Sequence, residues 1–143
     1  MESCVTIITP TIGHRFLRRC IESVQGQTLT NVEHYIVIDG PQYKEKVLQI
    51  IREVTLSLGD KLNKTIHTLV LPYNVGSNGW NGHRVYGSVP YLCNSSHVAF
   101  LDEDNWYNKQ HLELLFGQLQ KDNARWGFSL RNIYTEELSL IHI

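Results

Sequence analysis

The sequence has few cysteines, and their number and spacing exclude two classes of small protein. Cys4, Cys20 and Cys93 are widely separated in a chain of 143 residues. An odd number of distant cysteines forms neither a disulfide framework nor the paired spacing of a zinc site. We therefore expect the cysteines to be small core residues, and the protein to occupy a reducing, cytoplasmic compartment.

A charge excess and long apolar runs are also missing. The formal net charge is −1, whereas proteins that bind nucleic acid through its phosphates carry a basic excess. No apolar run approaches the ~20 residues that cross a bilayer, and the N-terminus lacks a signal-peptide pattern. We expect no nucleic-acid partner and no membrane span. A homo-oligomer is an open alternative to a monomer. The 42% hydrophobic content is typical of a folded protein and indicates one domain over residues 1–143.

The common phosphate-binding and nucleophile motifs are absent from the sequence. There is no Gly-x-x-x-x-Gly-Lys-Ser/Thr loop and no Gly-x-Ser-x-Gly elbow. The first predicted strand runs into residues 10–14, Pro-Thr-Ile-Gly-His, instead of the Gly-x-Gly-x-x-Gly of dinucleotide-binding proteins.

Short β-branched runs alternate with segments of helical periodicity along the chain. This alternation predicts an α/β fold with a mostly parallel sheet flanked by helices. The predicted strands cover residues 5–9, 34–38, 65–71 and 98–101, with a fifth over 126–130 and a final strand or tail over 134–143. The predicted helices cover 16–24, 47–58, 83–93 and 112–119, and a glycine-rich loop covers 73–82.

Three polar segments follow predicted strands: Thr9-Pro10-Thr11, Asp39-Gly40 and Asp102-Glu103-Asp104. In parallel α/β sheets, ligands bind beyond the carboxyl ends of the strands. We therefore expect these three segments to meet at one crevice.

The acidic triplet is the most informative of the three. Side chains alternate along an extended chain, so Asp102 and Asp104 are expected to project together, with Glu103 opposite. Two carboxylates aimed at one point repel, and a hard cation such as Mg²⁺ or Mn²⁺ relieves that repulsion while also binding phosphates. The alternative is a solvated acidic loop at a strand end.

Several other residues have both a binding and a structural interpretation. Asp39 can accept hydrogen bonds from a ribose diol or a base N–H, or can be a turn residue before Gly40-Pro41. Arg84 can neutralise a diphosphate, or can be a solvated helix arginine. Trp106 can stack on a sugar ring or pack in the core.

The ordered segments resemble the motifs of family 2 glycosyltransferases, which have the GT-A fold, a Rossmann-like nucleotide-diphospho-sugar transferase fold. The resemblance covers roughly residues 5–131. It rests on the opening strand with its Pro-Thr end, Leu17–Thr28, Glu33–Gly40, Asn74-x-Gly76, Arg84-x-x-Gly87 and Val98–Asp104.

The resemblance implies transfer of a sugar, with inversion, from a nucleotide-diphospho-sugar donor to a carbohydrate or other hydroxyl acceptor. It places the base and ribose at Thr9, Thr11 and Asp39, with Pro10 and Glu103 in the same binding set. It places the diphosphate near Arg84 and a Mn²⁺ or Mg²⁺ ion on Asp102 and Asp104, with Asp104 the more direct ligand.

The sequence also departs from the family pattern. His83 and Val85 flank Arg84 where the family usually has a small residue and an asparagine. Only residues 105–143 follow the triplet, so the general base is unassigned, and Glu136 and Glu137 are the candidate carboxylates. A truncated enzyme, a fragment, a non-catalytic nucleotide-sugar-binding module completed by a partner, and a nucleotidyltransferase therefore stay open as alternatives.

Overall fold

The computed structural model describes residues 5–135 and 140–141. None of the helices in this described part of the chain is both long and apolar enough to cross a membrane. In chain order, the elements are β1 (Val5–Thr11), α1 (Leu17–Gln25), β2 (Val32–Ile38), α2 (Lys44–Leu58), β3 (Thr65–Val70), α3 (His83–Ser88), β4 (His97–Phe100), α4 (His111–Lys121), β5 (Ile133–Tyr134) and β6 (Leu140–Ile141).

The central sheet has the strand order β3-β2-β1-β4, and all of its strand pairs are parallel. The chain moves outward from β1 through β2 to β3, and then returns to place β4 on the other side of β1. The strand order therefore reverses between β1 and β4, which is where open α/β sheets bind ligands. The parallel sheet predicted from the sequence is confirmed.

Helices cover both faces of this sheet because consecutive strand residues point to opposite sides. Ile36 and Ile38 of β2 pack with Leu17 of α1 and Val47 of α2. Val37, between them, packs on the other face with Val85 of α3. Each of these side chains is at most 1% exposed, and burying an aliphatic side chain of this size contributes about 1.5–3 kcal/mol.

A polar cluster lies inside the helical layer that covers β1 and β2. The Nε2 atom of His34 lies 2.9 Å from the hydroxyl of Thr9, whose oxygen is 3.8 Å from the Cys20 sulfur. Burial lowers the pKa of His34 to about 3 and raises that of Cys20 to about 12, so both groups are neutral at pH 7. Cys20 is thus a small core residue, as predicted, and Cys4 lies outside the described residues.

The segment that follows the acidic triplet is held by the end of α1. Gln27 donates to the Asn108 carbonyl at 2.8 Å and accepts the Leu112 amide at 3.0 Å, while Ser23 accepts the Tyr107 amide at 3.1 Å. Gln27 is 3% exposed, so these bonds are shielded from water. These hydrogen bonds fix the course of the backbone after the acidic triplet.

The predicted fifth strand over residues 126–130 is wrong. Trp126, Phe128 and Leu130 alternate as in a strand, but they are 76%, 75% and 94% exposed, and no strand within residues 5–135 or 140–141 pairs with them. The short antiparallel pair β5–β6 forms later in the chain instead. The predicted helix over residues 83–93 is α3 followed by one 3₁₀ turn over Val89–Leu92.

Candidate functional site

A cavity of about 520 Å³ lies at the carboxyl ends of β1, β2 and β4. The glycine-rich loop over residues 73–82 closes one side of it. The predicted convergence of the three strand ends is therefore found in the structure. The predicted residues that line this cavity are Pro10, Thr11, Asp39, Asp102, Glu103 and Asp104.

A second cavity, of about 770 Å³, adjoins the first. Its lining is aromatic and basic, and includes Trp106, Arg131 and Tyr134. Four residues line both cavities: His14, Tyr86, Asp102 and Asp104. Two of the three acidic side chains of the triplet thus stand where the two cavities meet.

Asp39 at the end of β2 holds the glycine-rich loop in place. Its two carboxylate oxygens accept the backbone amides of Val75 at 2.7 Å and Gly76 at 2.8 Å, and the side chain is 4% exposed. A Cβ atom at position 76 would lie 2.6 Å from an Asp39 oxygen and would also collide with the carbonyl of Asn81. Glycine is required at position 76 because the loop backbone approaches Asp39 so closely.

We expect Asp39→Asn to lower the free energy of unfolding by about 1–3 kcal/mol. An asparagine has one acceptor oxygen, so its amide group would face a backbone N–H and leave that donor unpaired in a buried place. Chemical denaturation monitored by circular dichroism measures the change. Asp60→Asn, at an exposed site, is the matched control, and equal stability of the two variants would contradict this role for Asp39.

Glu103 joins the acidic triplet to the loop that follows β1. Its carboxylate accepts the amides of Ile12 at 3.1 Å and His14 at 2.7 Å, and also the hydroxyl of Thr11. Thr11 in turn accepts the Gly13 amide at 2.9 Å. Glu103 therefore fixes the backbone on the β1 side of the crevice.

The triplet itself is a turn and not an extended segment, which corrects the basis of the sequence prediction. The Asn105 amide donates to the Asp102 carbonyl at 3.0 Å, so the chain reverses directly after β4. Asp102 and Asp104 nevertheless line the same two cavities, and the Glu103 side chain reaches the loop after β1. The turn, rather than strand alternation, brings the two aspartates to a common wall.

The two aspartates differ in their partners. Asp102 accepts the Tyr86 hydroxyl at 2.5 Å and, more weakly, the Asn105 amide group at 3.4 Å. Burial and the neighbouring Asp102 raise the pKa of Tyr86, which therefore remains a donor at neutral pH. Within residues 5–135, Asp104 makes no hydrogen bond or ion pair, and its side chain is exposed.

The chemistry of this donor set fits a hard divalent cation that brings further ligands of its own. No group of three His, Cys, Asp or Glu side chains in the described residues could hold a metal alone. Mg²⁺ is commonly bound by one or two carboxylates, with water and substrate phosphates completing the shell. Asp102 and Asp104 match that pattern.

Comparison with known families decides the class of the protein. A model of the family described as Glycosyl transferase family 2 matches residues 6–136. The chain belongs to glycosyl transferase family 2. No curated protein matches it individually.

Solved structures agree with this assignment at the level of the fold. A crystal structure of S. aureus TarS 1–349 superposes with a TM-score of 0.62 at 21% identity, covering 84% of this chain and 33% of that one. Its complex with UDP-GlcNAc gives a TM-score of 0.63 at 21% identity, covering 84% and 32%. Together with the family, these similarities establish the GT-A fold, and the chain spans about a third of the TarS chain.

Two predicted ligand contacts of this family 2 glycosyltransferase domain lie away from the cavities. Thr9 is fully buried, two residues before the strand end, and its hydroxyl lies 2.9 Å from the Nε2 atom of His34. Arg84 lies over the ring of Trp80, 4.2 Å from its centroid, and donates to the Val75 carbonyl at 3.3 Å. In this structure, Thr9 is a core residue and Arg84 supports the glycine-rich loop.

Sequence reasoning missed Tyr86, because a tyrosine in a short helix carries no sequence signal of its partner. Trp106, for which sugar stacking and core packing were both open, lines the larger cavity. The guanidinium of Arg19 lies 3.7 Å from its ring centroid and the Tyr134 ring lies at 5.3 Å, so the ring is packed against side chains of the protein. The candidate general bases Glu136 and Glu137 lie outside the described residues.

Proposed function

We propose that residues 1–143 form one donor-binding domain that transfers a sugar, with inversion, from a uridine diphospho-sugar to a carbohydrate or other hydroxyl acceptor, with Mn²⁺ or Mg²⁺. The observation that carries the proposal is the wall shared by two adjoining cavities, which contains Asp102 and Asp104. Group transfer between two bound molecules requires such a meeting point. The family assignment makes a nucleotidyltransferase the weaker alternative.

The donor belongs in the 520 Å³ cavity, beside the strand ends. Asp39 and Asn74 line it beside the glycine-rich loop, where the nucleoside is expected, whereas Thr11 is hydrogen-bonded to Glu103 of the acidic turn. Uridine is supported by the TarS structures, which were solved with UDP and with UDP-GlcNAc. Thr9 and Arg84 are not assigned a contact with the donor.

The chain's own residues position the reacting groups. A cation held by Asp102 and Asp104 would supply Lewis-acid stabilisation of the negative charge that develops on the departing diphosphate. Glu103 and Asp39 fix the two loops around the donor, because their carboxylates accept backbone amides of those loops. This arrangement preorganises the site before the donor binds, which lowers the cost of reaching the transition state.

The acceptor belongs in the larger, aromatic cavity. Tyr134 offers apolar surface of the kind that stacks on sugar rings, and Arg131 adds a donor. A single displacement with inversion requires the acceptor hydroxyl and the donor sugar to be bound side by side, and two adjoining cavities would hold them in that way. An acceptor hydroxyl also needs a general base within hydrogen-bond reach, for which Glu136 and Glu137 are our candidates.

A cytoplasmic location is part of the same proposal. Cys20 and Cys93 are free thiols, as expected in a reducing compartment.

The decisive experiment is an assay of UDP release from a panel of UDP-sugars, with Mn²⁺ or with EDTA, in the presence of diverse hydroxyl acceptors. We expect Mn²⁺-dependent release that increases with the right acceptor, and a glycosylated product by mass spectrometry. Binding of UDP-sugars without release against every acceptor would favour the non-catalytic module. The absence of both UDP-sugar binding and UDP release would contradict the proposal.

A further inference from the structure

Tyr86 connects the glycine-rich loop to the acidic turn. It lies in α3, directly after the loop, and its ring packs against Phe100 with 4.7 Å between centroids. Its hydroxyl donates to the Oδ1 atom of Asp102 at 2.5 Å. A Cβ atom at Gly82 would lie 3.1 Å from the Tyr86 ring and 2.9 Å from Pro10, so a glycine there permits this packing.

The orientation of the Asp102 carboxylate depends on this bond. Rotation of an aspartate carboxylate about its terminal torsion is broad, and an exposed carboxylate samples many orientations. A hydrogen bond to a charged acceptor is among the stronger ones available to a side chain. Among the residues that the structure describes, the other oxygen of Asp102 has only the 3.4 Å contact with Asn105, which leaves it available to a ligand.

We propose that Tyr86 is a positioning residue for cation binding: its hydroxyl holds one oxygen of Asp102 so that the other is presented, with Asp104, to a divalent cation on the donor diphosphate. This inference rests on the proposed function.

The test is Tyr86→Phe, which keeps the ring packing against Phe100 and removes only the hydroxyl. We expect the affinity for UDP in saturating Mn²⁺ to fall about ten-fold, and the Mn²⁺ concentration for half-maximal UDP binding to rise. UDP affinity in EDTA should not change, whereas a packing defect at the cavity wall would lower it. Tyr91→Phe removes a hydroxyl from an 89% exposed tyrosine and is the matched control.

A double-mutant cycle shows whether Tyr86 acts through Asp102. In an Asp102→Asn background, Tyr86→Phe should have no further effect on Mn²⁺-dependent UDP binding, because the acceptor charge is already gone. Additive effects, or an unchanged Tyr86→Phe affinity while the wild type binds, would overturn this inference alone. A wild type that shows no Mn²⁺-dependent UDP binding would overturn the proposed function and this inference with it.

Discussion

Asp104→Asn is expected to weaken Mn²⁺-dependent binding of UDP at least about 100-fold while leaving the fold intact. Substitution of groups that merely support metal ligands already costs about 10–100-fold in metal affinity, so a direct ligand should cost more. Asp104 is exposed and has no hydrogen-bond partner within residues 5–135, so its replacement breaks no contact of the fold. Isothermal titration with UDP, in Mn²⁺ and in EDTA, measures the loss.

Asp60→Asn provides the control for this substitution. Asp60 is also exposed, but it follows α2 at the opposite edge of the sheet, so the same change of charge is made far from the cavities. We expect wild-type affinity from it. An Asp104→Asn protein that binds UDP with Mn²⁺ as tightly as the wild type would remove Asp104 from the cation site.

Acid is expected to destabilise the protein through His34 well before the carboxylates titrate. The folded pKa of His34 is lowered from 6.5 to about 3, so below pH 6.5 the unfolded chain binds a proton that the folded chain does not. Stability therefore falls with pH from about 6.5 towards 3, and this contribution is absent above 6.5. The loss from His34 amounts to about 2 kcal/mol at pH 5.

His34→Gln tests this directly because glutamine does not titrate and its amide can still bond Thr9. Urea denaturation between pH 7 and 4.5 should give a flatter dependence of the unfolding free energy on pH for this variant than for the wild type. His83→Gln, at an exposed histidine, is the matched control and should retain the wild-type slope. Equal slopes for the wild type and His34→Gln would contradict the assignment.

The sheet could be predicted from sequence because its strands are short apolar runs separated by amphipathic helices. The same pattern placed three polar segments at strand ends, and parallel strands bring such ends to one edge. The prediction of a fifth strand over residues 126–130 is wrong because alternation of apolar residues does not show that a partner strand lies beside them. A strand forms only where another strand supplies hydrogen bonds, and Trp126, Phe128 and Leu130 remain exposed.

The candidate site was predictable only as a set of residue types. Its internal hydrogen bonds were not, because they join residues distant in sequence. Asp39 bonds an amide 37 positions away and Glu103 one 91 positions away. Sequence reasoning placed both carboxylates in the donor-binding set, and their bonds to loop amides are visible only in the structure. Thr9 was expected at the site because it directly precedes Pro10 and Thr11, but its side chain is buried against Cys20 and His34.

The central claim is that Asp102 and Asp104 hold a cation that also binds the donor diphosphate. The most direct measurement is a crystal structure of the protein soaked with UDP and Mn²⁺, with data collected for the anomalous signal of manganese. We predict one strong anomalous peak within coordination distance of both aspartates and of the diphosphate. Diphosphate density in the cavity with no manganese peak beside Asp102 and Asp104 would contradict the account.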